Sequence, residues 1–312
     1  MLLIIWGHCF PKGFEPFIYA FNVPVFFIVS GYLVKHEQSN KKFWSKNLKT
    51  LIIPYIILCE IKDLGNMLGH ISDYGFLWTQ GCILLGVHTY GDFDGCGNMW
   101  FVYTLFLIKL INQYCCSRKR YTYIIVILSI VSTLIYNKFF MSVSWAFTSM
   151  FVAFPFFILG QYCRKFDINT IITRIRNTNK FILFFGLLLS ISLLVIVADY
   201  NGFMKIYLGE YGNNICLAYC GGIIGSIVVF ILSVLLNRFK SVWSYYISVG
   251  TLVILDFHRD INHPLLKLID NMDVSYITNG IMTFVASTIV LISFVPIIWI
   301  IRRWCPMIIG YR

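Results

Sequence analysis

Long apolar runs dominate this sequence, and short polar connections separate them. Nine runs have the length of a membrane-spanning helix, about 20 mostly apolar residues. They lie near 17–34, 50–67, 99–115, 121–136, 143–163, 181–198, 214–236, 242–258 and 277–301. None alternates apolar and polar residues as a membrane strand does. The pattern predicts an all-α, polytopic transmembrane helix bundle that forms a single domain over residues 1–312, with about nine full spans.

Two further apolar runs are too short to span. Residues 1–7 cover about 10 Å at about 1.5 Å per residue, a third of a bilayer core of about 30 Å. We expect them to be the outer end of a partial first helix, whose inner part is missing because the gene is truncated or because the true start lies upstream. Residues 76–87, within the long connection 68–98, favour an interfacial or re-entrant segment.

The charged residues give the bundle an orientation. Of the 312 residues only 12% are charged and 58% are hydrophobic, which excludes a water-soluble enzyme. The net charge of +11 could indicate nucleic-acid binding, but 18 of the 25 Lys and Arg lie in alternate connections. These basic connections are 35–49, 116–120, 164–180, 237–241 and the tail 302–312. By the positive-inside rule they are cytoplasmic. We therefore expect an integral protein of a bacterial inner membrane that contacts the lipid bilayer, has a cytoplasmic C-terminus and binds no nucleic acid.

His8 is the first candidate for chemistry. It ends the short first run as Trp6-Gly7-His8, at a membrane edge, where an ionisable side chain is costly and therefore indicates function. A neutral imidazole, with a reference pKa of about 6.5, suits a general base. The alternative, which position alone favours, is an interfacial histidine that takes part in no reaction.

The ten cysteines do not indicate a metal or redox site. No two of them have the C-x-x-C spacing. Several fall inside apolar runs, where cysteine behaves as a small hydrophobic residue. We predict no metal ligands and no bound cofactor.

Five short motifs occur in order along the chain. Residues 21–33 read Phe-Asn-Val-Pro-Val-Phe-Phe-Ile-Val-Ser-Gly-Tyr-Leu and follow Gly7-His8. The later motifs are 46–55, with a basic start and Pro-Tyr at its end, Trp-Phe within 99–101, Phe-Phe-Ile-Leu-Gly within 154–160, and 250–258, which ends in His258. Together they resemble the acyltransferase type 3 family of polytopic membrane acyltransferases, over nearly the whole chain.

The resemblance implies an O-acyltransferase. Such enzymes move an acyl group, here expected to be acetyl or another short acyl group, from acyl-CoA (acetyl-CoA) to a hydroxyl. The acceptor would be a sugar of a cell-surface polysaccharide or of its lipid-linked precursor. His8, which matches the family's first-helix histidine, would be the catalytic base. The residues that would contact substrate or CoA are Asn22, Ser30, Lys46, Lys49 and His258.

Some of these assignments have alternatives. Lys46 and Lys49 match a basic pair that is usually arginine, and they are equally explained as topology-setting charges. Asn22 stands where the sugar-acetylating branch commonly has histidine, and an amide cannot act as a base. His258, beside Asp256 and Arg259, could have an interfacial structural role.

Two other functions remain open. The runner-up is a transporter or flippase of a glycan or lipid, although the spans carry almost no charge in mid-membrane, where proton-coupled transporters usually need some. The third is an inactive truncated family member, because the family's arginine about three turns before its catalytic histidine has no counterpart here.

Overall fold

The computed structural model describes residues 1–35, 37, 39–69, 75–90, 93–116, 118–139, 144–237, 241–272 and 274–310. It is an all-α helix bundle, as the apolar pattern predicts. The α-helices of the described part are α1 Leu2–Gly7, α2 Glu15–Tyr19, α3 Asn22–Leu33, α4 Asn40–Asn47, α5 Ile53–Gly69, α6 Phe76–Leu85, α7 Trp100–Cys115, α8 Lys119–Phe139, α9 Ala146–Cys163, α10 Ile168–Asn177, α11 Lys180–Asn201, α12 Ile215–Leu236, α13 Val242–Val249, α14 Thr251–Asp270 and α15 Tyr276–Trp304. A π-helical turn, Leu48–Ile52, joins α4 to α5.

Six helical stretches of the described part are long and apolar enough to cross a bilayer. They are Glu15–Leu33, Lys119–Phe139, Ala146–Cys163, Lys180–Leu208, Ile215–Leu236 and Tyr276–Trp304. The other three predicted spans correspond to α5, α7 and the pair α13 and α14, which are shorter, interrupted or richer in polar residues. The count of nine spans therefore stays a prediction. The short run at 76–87 forms α6, an apolar helix of 10 residues.

The outer helices of the bundle present large apolar side chains to their surroundings. In α11, Phe181 and Leu189 are 75% and 72% exposed. An apolar surface of this kind suits lipid and not water. The chain is accordingly an integral membrane protein, and its core lies between the inner helices α3, α7, α9 and α14.

The helices α3 and α9 approach each other backbone to backbone. A methyl group on Gly31 would overlap the carbonyl oxygen of Phe157, and one on Gly160 would overlap the carbonyl oxygen of Ile28. Small residues at a membrane helix crossing allow this contact. These two glycines lie in the motifs 21–33 and 154–160, and their close contact fixes the helix that carries Asn22 and Ser30.

A small cap of strands and short helices covers one end of the bundle. Strands β1 Val87–Tyr90, β2 Phe93–Asp94 and β3 Ser144–Trp145 form an antiparallel sheet in the order β2-β1-β3. The 3-10 turns Gly97–Met99 and Ile206–Leu208 lie beside it. A third such turn, Pro306–Ile309, packs against α5 at the opposite end.

Candidate functional site

His8 lies at the end of α1, under the cap. The helix stops at Gly7, which packs so closely that a methyl group there would lie 3.2 Å from the Asn22 amide nitrogen and 3.2 Å from Ile18. The chain then turns back into α2, with Phe10 at a φ of 46° in the turn. The imidazole of His8 is half-buried and faces the start of α3.

Two polar contacts hold the end of α1 against α14 and α15. The Asn262 side-chain amide donates to the Cys9 sulfur at 2.8 Å. The Trp6 indole nitrogen donates to the Thr283 hydroxyl at 3.1 Å. Because Cys9 follows His8 directly, its contact with α14 fixes the position of the histidine.

His8 and His258 are neighbours, although 250 positions separate them in the sequence. Their ring centroids are 4.8 Å apart and the ring planes are inclined by 54°. The Nδ1 of His258 lies 2.8 Å from the carbonyl oxygen of Ile254. A carbonyl oxygen can only accept, so Nδ1 carries the proton and Nε2 has a free lone pair. In the described part of the chain this buried Nε2 has no hydrogen-bond partner.

A pocket, which we call the His8 pocket, opens beside His8, and His258 is not among its lining residues. It contains about 540 Å³ of empty space, counted with its open side. Its polar lining is His8, Tyr19, Asn22, Asn98 and Tyr207, and its apolar lining comes mainly from α3 and α7.

Two amides in this pocket could donate to a negatively charged oxygen. The Oδ1 of Asn22 accepts from the Val23 backbone N–H at 2.8 Å, which fixes the orientation of the amide. The buried Nδ2 of Asn98 has no acceptor among the described residues. Preorganised donors of this kind stabilise the oxyanion of an acyl-transfer intermediate.

Asp256 faces a different cavity, on the other side of α14. Its buried carboxylate oxygens have no hydrogen-bond partner in the described part of the chain. The cavity is also lined by Cys59, Lys62 and Asp63. The Lys62 ammonium lies 3.5 Å from the Asp256 carbonyl oxygen and 3.8 Å from the Asp260 carboxylate.

A second large cavity lies at the opposite end of the bundle, and we call it the Lys46 cavity. It contains about 660 Å³ of empty space, counted with its open side. Its lining includes Ser30, Lys35, Glu37, Lys46 and Lys109. Three lysines and one glutamate give this cavity a positive formal charge.

The Glu37 carboxylate forms an ion pair with the Lys46 ammonium. Lys46 donates to its carboxylate at 2.7 Å, and the Lys42 ammonium lies at 3.6 Å. The hydrogen bond from Lys46 lowers the pKa of the Glu37 carboxyl below its ordinary value, against a smaller opposing effect of burial. Glu37 therefore remains ionised at neutral pH.

The structure does not bring Lys49 to this cavity. Lys49 is exposed and lies in the π-helical turn Leu48–Ile52. Of the two lysines that the sequence pairs, Lys46 lines the cavity and Lys49 does not.

The His8 pocket and the Lys46 cavity share one face of α3. Asn22, Val23 and Phe26 line the first, and Ser30 and Leu33 line the second. Residues three or four apart lie on one face of a helix. Asn22 and Ser30 are about 12 Å apart along the axis, at about 1.5 Å per residue.

Sequence reasoning missed Asn98 and Lys109. Asn98 falls in a loop that lacks regular periodicity, and only the fold brings it under the cap. Lys109 is a half-buried base inside an apolar helix, and such a residue is a functional candidate in itself. The sequence does show a lysine inside an apolar run at Lys109, but the same pattern occurs where a lysine side chain extends to the membrane surface.

Comparison with known proteins assigns the chain to a family. A family model described as an acyltransferase domain matches residues 1–303. No curated protein and no solved structure gives a significant match.

Proposed function

The chain belongs to the acyltransferase domain family, and we propose that it transfers an acetyl or other short acyl group from acyl-CoA to a hydroxyl of a cell-surface polysaccharide or of its lipid-linked precursor. The observation that carries this proposal is the His8–His258 pair, with centroids 4.8 Å apart, beside a pocket with two amide side chains.

His8 is the catalytic base of the proposed reaction. It removes the proton of the acceptor hydroxyl as that oxygen attacks the thioester carbonyl carbon. The C–S bond then breaks, and the departing CoA thiolate takes the proton from the His8 imidazolium. The lone pair on His258 Nε2 accepts a hydrogen bond from that imidazolium and stabilises its charge.

Asn22 and Asn98 stabilise the tetrahedral intermediate. Attack on the thioester places a negative charge on the carbonyl oxygen, and both amide groups line the pocket where this charge develops. Donors that are already in place need no reorganisation during the reaction. Asn22 thus acts as a donor and not as a second base.

The donor enters from the Lys46 cavity. Its positive charge suits the phosphates of CoA, and the shared face of α3 leads from Ser30 to Asn22. With the Lys46 end cytoplasmic, where acyl-CoA is made, the C-terminus is cytoplasmic and the capped end faces outward. This orientation agrees with the distribution of Lys and Arg and with a bacterial inner membrane.

The experiment that tests the function follows labelled acetyl groups. Membranes with the wild-type protein, incubated with radiolabelled acetyl-CoA, should release free CoA thiol and label the polysaccharide of the host cell. We expect His8→Ala to lower the rate by at least about 100-fold, the usual contribution of a general base.

A matched control comes from the same helix as His258. His263 is exposed on α14, so His263→Ala should transfer acetyl groups at the wild-type rate. Normal labelling by His8→Ala would remove His8 from the mechanism. Absence of thioester cleavage by the wild-type protein would contradict the acyltransferase proposal itself.

A further inference from the structure

Lys109 is a charged side chain inside the bundle that the reaction above does not use. It lies in the second half of α7, six residues before the last one, is half-buried and lines the Lys46 cavity. Among the described residues it has neither a hydrogen-bond acceptor nor a carboxylate partner. An ammonium that is half-buried, faces a cavity and has no carboxylate partner is suited to bind an anion that enters that cavity.

The single carboxylate of the cavity is already committed elsewhere. Glu37 binds Lys46 at 2.7 Å and Lys42 at 3.6 Å. Its backbone is also fixed, because its N–H donates to the Gln113 side chain at 3.2 Å and its carbonyl accepts from the same amide group at 2.8 Å. Glu37 is thus tied to α7 but does not neutralise Lys109.

The remaining charge of the cavity matches a phosphate group. Lys35, Lys46 and Lys109 face one carboxylate, which leaves a formal excess of two positive charges. A phosphate monoester carries close to two negative charges at neutral pH and has three strong acceptor oxygens. It can accept from Lys46 and Lys109 at once, whereas Glu37 pairs with Lys46 and Lys42 and not with Lys109.

We propose that Lys109 is the inner ligand of a phosphate-binding site, and that the bound phosphate displaces Glu37 from Lys46. The inference rests on the proposed function in one respect, since it takes the acyl-CoA donor as a source of the phosphate. An anionic lipid headgroup offers the same chemistry from the membrane, and the experiment separates the two sources.

The test measures CoA binding without turnover. The purified full chain, in nanodiscs of neutral phosphatidylcholine, is titrated with CoA by calorimetry. We expect Lys109→Met to weaken CoA binding at least tenfold, Lys109→Arg to restore most of it, and Glu37→Gln to tighten it several-fold. Lys119→Met, at an exposed position of α8 at the same end, should bind CoA as the wild type does.

A comparison of two lipid compositions identifies the source of the phosphate. Nanodiscs that contain phosphatidic acid are compared with the neutral ones. Loss of CoA binding in Lys109→Met in neutral nanodiscs identifies the donor. If instead Lys109→Met loses only the thermal stabilisation that phosphatidic acid gives the wild type, the site binds a lipid headgroup.

Two results would overturn the inference. One is wild-type affinity of Lys109→Met for both CoA and phosphatidic acid, which would leave Lys109 as a base that extends to the membrane surface. The other is equal weakening in Lys109→Met and Lys109→Arg with normal elution in gel filtration, because a charge-based role requires rescue by arginine. A protein that binds CoA through Lys109 and transfers no acyl group would contradict the proposed function alone.

Discussion

The two ring nitrogens of His258 have separate tasks in this site. Nδ1 donates to the Ile254 carbonyl within α14, and the buried Nε2 keeps a free lone pair in a ring whose centroid lies 4.8 Å from that of His8. The first contact orients the ring, and the second nitrogen is the one that can act on His8. Amide side chains can imitate each nitrogen separately, so the two tasks can be tested apart.

We expect His258→Asn to fold normally and to lose most activity. The Asn amide can still donate to Ile254, as Nδ1 does, but nothing then replaces Nε2 next to His8. Acetyl transfer should fall by about 10- to 100-fold, since the lost group supports the base and is not the base itself. The measurement is the acetyl-transfer rate together with the thermal midpoint of the purified protein.

His258→Gln is the complementary variant. Its amide reaches further and can restore a polar atom near the Nε2 position, so it should keep more activity than His258→Asn at the same thermal stability. Equal and complete loss in both, with unchanged folding, would show that His258 needs an imidazole and takes the proton itself. Wild-type rates in His258→Asn would contradict any role beside His8.

At the scale of elements, the α3–α9 crossing decides where the site residues stand. The backbones touch at Gly31 and Gly160, and α3 carries residues of both cavities. A side chain at either glycine must push the helices apart. Such a shift moves Asn22 relative to His8, because His8 is tied to α14 and α15 and not to α9.

We expect Gly31→Ala and Gly160→Ala to lower both stability and activity. Overpacking of a tight contact costs about 1–3 kcal/mol, which should appear as a lower midpoint in thermal denaturation of the detergent-solubilised protein. Gly186 in α11 is the control, since a methyl group there meets nothing within 4 Å. Gly186→Ala should keep the wild-type midpoint or raise it slightly. An unchanged midpoint in Gly31→Ala would contradict the close crossing.

The elements also show what sequence patterns can predict. Apolar length predicts the helices because the bilayer sets it, and the positions of α8, α9, α11, α12 and α15 follow closely. The pattern does not predict the π-helical turn Leu48–Ile52, nor that Lys46 lines the cavity and Lys49 does not. Nor does it predict that Cys9 meets Asn262, a contact between distant segments that brings His8 to His258.

At the scale of the molecule, the proposed reaction uses two cavities at opposite ends of the bundle. The Lys46 cavity binds the phosphates of the acyl-CoA donor, and the thioester of the same molecule reacts in the His8 pocket. Between the two cavities, aromatic rings of α3 and α7 contact each other. The Phe26 and Phe101 rings are 5.8 Å apart, edge to face, and Phe27 is 4.8 Å from Phe101. A donor held by its phosphates in the Lys46 cavity must pass these rings for its thioester to reach His8.

A larger side chain at this point should separate binding from transfer. In Phe26→Trp we expect CoA affinity within about twofold of the wild type, because the lysines are untouched, and an acetyl-transfer rate at least tenfold lower, because the path along α3 is narrower. Phe185→Trp, 62% exposed on α11, adds the same bulk on the lipid side and should change neither quantity. If Phe26→Trp transfers acetyl groups at the wild-type rate, the donor does not pass between α3 and α7. If it loses CoA affinity as well, the two cavities do not bind the donor independently, and the thioester arm contributes to binding at the Lys46 end.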